Sequence, residues 1–269
     1  MRLNLRMLKS IFIAAALTAA ILPARADVFM ENLTWIELRD QIGQGNTTVI
    51  VPIGGMEQNG PHMALGKHNA RVKVMAGKIA EQLGHTLIAP TMAYVPEGEI
   101  DPPTAHMKFP GTLTISDATF IAMLKDTGRS LRHAGFKSVV FIGDHGSYQK
   151  DLTSAAESLN KEWGGKAKAL GLVQYYALAQ EPYNNTLRAA GLTEQEIGTH
   201  AAAADTSLQL ATAPGMVRTE IMRDDKLTTP ANGVYGGSPA RASASLGQKG
   251  VDLIVAGAVS AIKSGIGVQ

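Results

Sequence analysis

The sequence predicts an α/β protein, a three-layer α/β/α sandwich around a mostly parallel central sheet. Two short runs, residues 47–53 (TTVIVPI) and 138–142 (SVVFI), are β-branched and almost wholly apolar, the pattern of strands buried on both faces. Segments with helix start and stop signals alternate with them. Right-handed crossovers between parallel strands then place helices on both faces of the sheet.

In order along the chain, Thr34 and Glu37 form a capping box that opens a short helix ending near Gly43. The strand at 47–53 follows. A helix is expected over 70–83, closed by Gly84, and a short strand over 86–89. Residues 95–110 carry four prolines among polar residues and read as a long loop, of the kind that often serves function. Ser116 or Asp117 caps a helix that runs to Ala134, with Gly135 as its terminator. After the strand at 138–142 come a helix over 150–163, a strand over 170–177, and helical segments over 240–263.

The chain has 269 residues, 45% hydrophobic and 18% charged, which is enough for one large domain with a substantial core and excludes general disorder. It has no Cys, which excludes a disulfide scaffold and a thiolate metal site. Aromatic residues are only 5% and no basic cluster alternates with them, so nucleic acid is excluded as a partner. Residues 1–26 read as a signal peptide: Arg2, Arg6 and Lys9 are basic, an apolar run follows, and Ala24 and Ala26 are the small residues before the cut. Cleavage after Ala26 leaves residues 27–269 as a single domain and removes four positive charges, changing the net charge from +2 to −2. The mature protein is thus expected to be periplasmic or secreted, with no stable membrane association.

Two strand ends carry polar clusters. Residues 54–62 (GGMEQNGPH) and 66–69 (GKHN) follow the first strand, and residues 143–147 (GDHGS) follow the strand at 138–142. Ligands of such sheets sit beyond the carboxyl ends of the strands. Glu57, His68 and His145 form a two-His, one-carboxylate set suited to a divalent metal, Zn²⁺ first and Mn²⁺ or Fe²⁺ equally compatible with the donors. Lys67, beside His68, opposes a cation unless its side chain turns outward.

These motifs resemble the creatininase (creatinine amidohydrolase) family over nearly the whole mature chain. The likeness rests on Glu57-Gln58-Asn59-Gly60-Pro61-His62, His106, Phe109-Pro110-Gly111-Thr112, Asp144-His145-Gly146, His200-Ala201 with Asp205-Thr206-Ser207, and Gly233-Val234-Tyr235-Gly236. The resemblance implies a layered α/β/α metal hydrolase of small, often cyclic amides, assembled as a homo-oligomer, commonly a hexamer. It implies metal ligation by Glu57 and His145, with His68 where the family has a bridging Asp, Asn59 where it has His, and Asp205 where it has Glu. A neutral imidazole offers one lone pair and Asn is a poor ligand for transition metals, so one tightly bound metal is expected, with a second absent or loose. Hydrolysis by metal-activated water is then expected on a small amide, cyclic amide or lactone. His200 serves as general acid, Asp205 orients the water, and backbone amides of residues 143–147 receive the oxyanion. The alternative is an exported binding protein with a degenerate metal site.

Overall fold

The computed structural model describes residues 27–267; the expected signal peptide lies outside them. Four strands, β1 (Thr48–Ile53), β2 (Thr86–Ile88), β3 (Ser138–Gly143) and β4 (Lys168–Gly171), form one sheet in the order β2-β1-β3-β4. Every pairing is parallel.

Side-chain alternation along the strands explains the layers. Ile50, Val140 and Ile142 point to one face, packing with Val72, Met75 and Ile79 of α2 (Lys67–Leu83) and Val251, Ile254 and Ala258 of α9 (Ala244–Ile266). Val49, Val51, Ile53, Val139 and Phe141 point to the other, against Phe120 and Leu124 of α3 (Asp117–Ala134) and Leu152 and Leu159 of α4 (Gln149–Trp163). Both faces are therefore dry, as the apolar runs required.

The local signals act as read. Thr34 Oγ1 accepts from the Glu37 amide while Glu37 returns a carboxylate to the Thr34 amide, opening α1 (Trp35–Gly43). Ser116 caps α3, and Gly135 ends it at φ +116°, a conformation that favours glycine.

The chain departs from expectation after β4. Residues 170–177 are not one strand: β4 stops at Gly171, and Val173–Leu178 forms helix α5. A short apolar run fits either period, and here Tyr175 turns inward so that its hydroxyl donates to Asp144 Oδ1 at 2.9 Å. Three helices went unread: α6 (Glu181–Ala189), α7 (Glu194–Ile197) and α8 (Ala203–Thr212). Helix α8 lies so close to α9 that a Cβ on Gly247 would meet the Ser207 carbonyl oxygen at 1.8 Å.

The topology sets the place of the site. From β1 the chain crosses by α2 to β2 on one side, then by α3 to β3 on the other, so β1 and β3 flank the switch point. Their register is level, with Ile53 opposite Gly143, and the two polar loops leave the sheet side by side.

Candidate active site

The β1 loop carries Glu57 into the interior, where it is fully buried. Its two oxygens have different neighbours. Glu57 Oε1 lies 2.7 Å from His68 Nε2 and 3.9 Å from Lys67 Nζ. Glu57 Oε2 takes no hydrogen bond, yet His106 Nε2 and His145 Nε2 approach it to 3.0 and 3.3 Å. Donor atoms of Glu57, His106 and His145 all lie within 4.8 Å of one another. A buried carboxylate oxygen facing two imidazole nitrogens fits a divalent cation of the Zn²⁺, Mn²⁺ or Fe²⁺ type. Burial pushes the Glu57 carboxyl upward, but His145 and His68 outweigh this and hold it well below its usual range.

His68 sits between two carboxylates, with Nδ1 2.6 Å from Asp144 Oδ2 and Nε2 on Glu57. Both its nitrogens are thereby engaged. Lys67 does not turn outward: its side chain is 1% exposed and Nζ binds the Asp205 carboxylate. Arg71, one turn on in α2, reaches Asp144 Oδ2 with Nε at 2.8 Å and Asp205 Oδ1 with Nη1 at 2.7 Å. Burial raises Asp205, but Lys67 and Arg71 overcome it and keep the carboxyl well below its normal value. Asp205 is therefore held by protein cations, and its second oxygen also accepts the Ala201 amide at 3.1 Å. That bond braces Ala201 at φ +55°, a left-handed position where a Cβ costs roughly 1–2 kcal/mol. Helix α2 begins with no side-chain cap on Gly66 and no acidic residue in its first turn.

Asn59 directs its amide group to the carbonyls of Glu57 and Ala64, at 2.9 and 3.2 Å, and so ties its own loop together. Two of the expected oxyanion amides are also engaged. Asp144 N–H donates to the Ile53 carbonyl and His145 N–H to the Tyr148 hydroxyl. The Tyr148 hydroxyl donates in turn to the Gly54 carbonyl at 2.6 Å, joining the two strand ends.

His200 stacks beside His106, with ring centroids 4.4 Å apart, and its Nε2 lies 3.0 Å from the Gln58 carbonyl oxygen. Its Nδ1 faces Glu57 Oε1 at 3.9 Å. Burial, followed by the Lys67 charge, pushes His200 down to about 3, so the ring is neutral at neutral pH. A neutral imidazole accepts a proton before it can give one, which reverses the order of events expected for a general acid.

Two residues escaped the sequence reading as site groups. His106 comes from a 3-10 turn inside the proline-bearing loop, and its Nδ1 lies 3.0 Å from Gln58 Nε2. Glu97 stands 3.4 Å from His145 Nδ1, with both carboxylate oxygens buried and without a hydrogen bond; burial pushes it up to about 8. The loop's length and prolines and the resemblance at His106 marked this region, and neither gave these two side chains a role. His106, His145, His200 and Asp205 line a cavity of about 250 Å³, whose other walls include Tyr176, Asn184, Ile197, Thr199 and Leu208.

The family described as "Creatininase: Creatinine amidohydrolase" matches residues 31–262. A creatinine amidohydrolase of Pseudomonas putida is 25% identical over 222 residues, covering 81% of this chain and 84% of that protein. A mycofactocin precursor peptide peptidase of Mycolicibacterium smegmatis is 34% identical over 119 residues, 42% of this chain and 45% of that protein, so the chain matches under half of its length. A solved creatinine amidohydrolase (creatininase) superposes with a TM-score of 0.73 at 25% identity, over 90% of this chain and 98% of that one. Solved creatininases include a manganese form and a Zn-Zn form, 22% and 23% identical. With the fold, the Glu-His cluster and a match over nearly all described residues in agreement, the chain belongs to the creatininase family of metal-dependent amidohydrolases.

Proposed function

We propose that the chain hydrolyses a small amide, cyclic amide or lactone with one divalent cation held by Glu57, His106 and His145. The observation that carries this reading is Glu57 Oε2, buried and free of hydrogen bonds, with two imidazole nitrogens turned toward it. His106 takes the ligand position that the sequence assigned to His68, because both His68 nitrogens are held by carboxylates. A divalent cation here supplies Lewis acidity and lowers the pKa of water toward neutrality.

The chain's own groups do the rest. His200, neutral and beside the cavity, takes the proton of the attacking water at Nδ1 and returns it to the leaving nitrogen. Asp205 positions His200 through the Ala201 amide. Glu97 and Ser147 hold the His145 ring from its Nδ1 side, at 3.4 and 2.9 Å. A cavity of 250 Å³ lies below the ~300–1,000 Å³ of drug-sized ligand sites and favours a compact substrate. Relatives named for an amidohydrolase and a peptide peptidase favour an amide over a lactone. We also propose a homo-oligomer, supported by Trp35, Tyr94 and Ile100, apolar side chains 71%, 58% and 70% exposed on a single chain, and export, supported by the basic and apolar pattern of residues 1–26.

Elemental analysis of the purified protein beside a His106→Ala, His145→Ala double variant tests the reading. Metal in the wild type and none in the variant, with lactam hydrolysis lost on chelation, supports it. A wild type that stays empty after reconstitution with Zn²⁺ or Mn²⁺ sinks it and leaves the binding-protein alternative.

A further inference from the structure

Glu57 divides the site. Its Oε2 faces the two imidazoles of the candidate metal cluster, whereas its Oε1 faces Lys67 and His68. On the Oε1 side the acidic oxygens already meet protein cations. Asp205 Oδ2 meets Lys67 Nζ, and Asp205 Oδ1 and Asp144 Oδ2 meet Arg71. Lys67 is buried to 1% exposure and still lines the cavity. A buried ammonium persists only where carboxylates surround it, and carboxylates so arranged are also what a divalent cation seeks.

We infer that Lys67 Nζ fills the place of a second metal ion between Asp205 and Glu57, so that the centre holds one divalent cation on Oε2 and a covalently tethered charge on Oε1. The inference rests on the metal reading proposed above and adds the residue that sets its stoichiometry. Lys67 is thus a positioning residue: it holds Asp205, and through it the His200 segment, without supplying Lewis acidity. Arg71 completes the network, taking the remaining Asp205 oxygen.

The test is titration of the metal-stripped full chain with Zn²⁺, read by calorimetry and by elemental analysis after gel filtration, and with Mn²⁺, read by electron paramagnetic resonance. Wild type and Lys67→Arg are expected to bind one ion per chain, with an isolated Mn²⁺ spectrum. Lys67→Ala leaves two carboxylate oxygens without their cation and is expected to bind two, with a spin-coupled pair. A merely structural role for Lys67 would lower metal binding in that variant and not raise it. One ion in folded Lys67→Ala overturns the inference and leaves the metal reading intact, whereas two ions in the wild type overturn both the inference and the single-cation count proposed above. No ion in the wild type removes both. If Lys67→Ala does not fold, Lys67→Gln, neutral and nearly as long, is titrated in its place, and two ions support the inference while one overturns it.

Discussion

Glu97 Oε2 lies 3.4 Å from His145 Nδ1, behind the ring whose Nε2 faces Glu57. Burial raises Glu97 to about 8, from an unfolded value near 4.5. The folded chain therefore keeps a proton there that the unfolded chain gives up, and metal-free protein should lose stability as pH rises from 4.5 through 8. Glu97→Gln removes that slope, visible in urea denaturation across this range. Above pH 8 the wild-type carboxylate also strengthens His145 as a donor, so Glu97→Gln should bind Zn²⁺ about 10–100-fold more weakly in chelator competition.

His62 shows the opposite sign. It is fully buried, with Nε2 on Thr206 Oγ1 at 2.9 Å, and burial lowers it to about 4 from 6.5. The unfolded chain binds the extra proton first, so stability is complete above pH 6.5 and falls on acidification toward 4. The loss is of the order of ~3 kcal/mol, at 1.36 kcal/mol per pKa unit. His62→Gln should flatten this limb of the melting temperature against pH.

His200→Ala should lower kcat for an amide by roughly 10²–10⁴ and for the matching lactone by less, because both lose the base that takes the water's proton and only the amide also needs the acid. An alkoxide leaves with less need of a proton than an amide nitrogen. Equal losses on both substrates would remove His200 from protonation of the leaving group, and no loss on either would remove it from the proton path.

Chelation should lower the melting temperature as well as activity, because a ligand bound only to the folded state stabilises it by ~2.7 kcal/mol at one hundred times its Kd. Differential scanning calorimetry with and without added Zn²⁺ measures this. A melting temperature indifferent to metal would place the cluster outside any cation site.

Intact mass spectrometry of protein recovered from an expressing bacterium should give a mature chain beginning at Asp27. Retention of residues 1–26 in the extracellular or periplasmic fraction would overturn the expected cleavage.

The central strands were legible because parallel strands between two helical layers must be apolar on both faces, which residues 47–53 and 138–142 declare. Caps at Thr34, Ser116 and Gly135 act over three or four residues and were legible for the same local reason. Helices α6 and α8 were not, since both pack on the distant α9, and α7 is a single turn of four residues. The site follows the same division. Glu57 and His145 stand just past strand ends, where a sequence can be read, whereas His106 and Glu97 arrive on a loop whose path no periodicity sets. The pairing of Lys67 with Asp205 spans 138 positions and was invisible until the fold closed it.

Helix α2 starts with Lys67 and His68 and carries Arg71 one turn later, at the end where the peptide dipoles already present partial positive charge. Such a start is self-repelling in isolation. Glu57, Asp144 and Asp205, from the β1 loop, the β3 loop and α8, neutralise it together. The same ion network that orders the catalytic pocket is thus what lets this helix begin where it does. A polypeptide so equipped can close its pocket on internal charge alone and meet its metal afterwards, already folded.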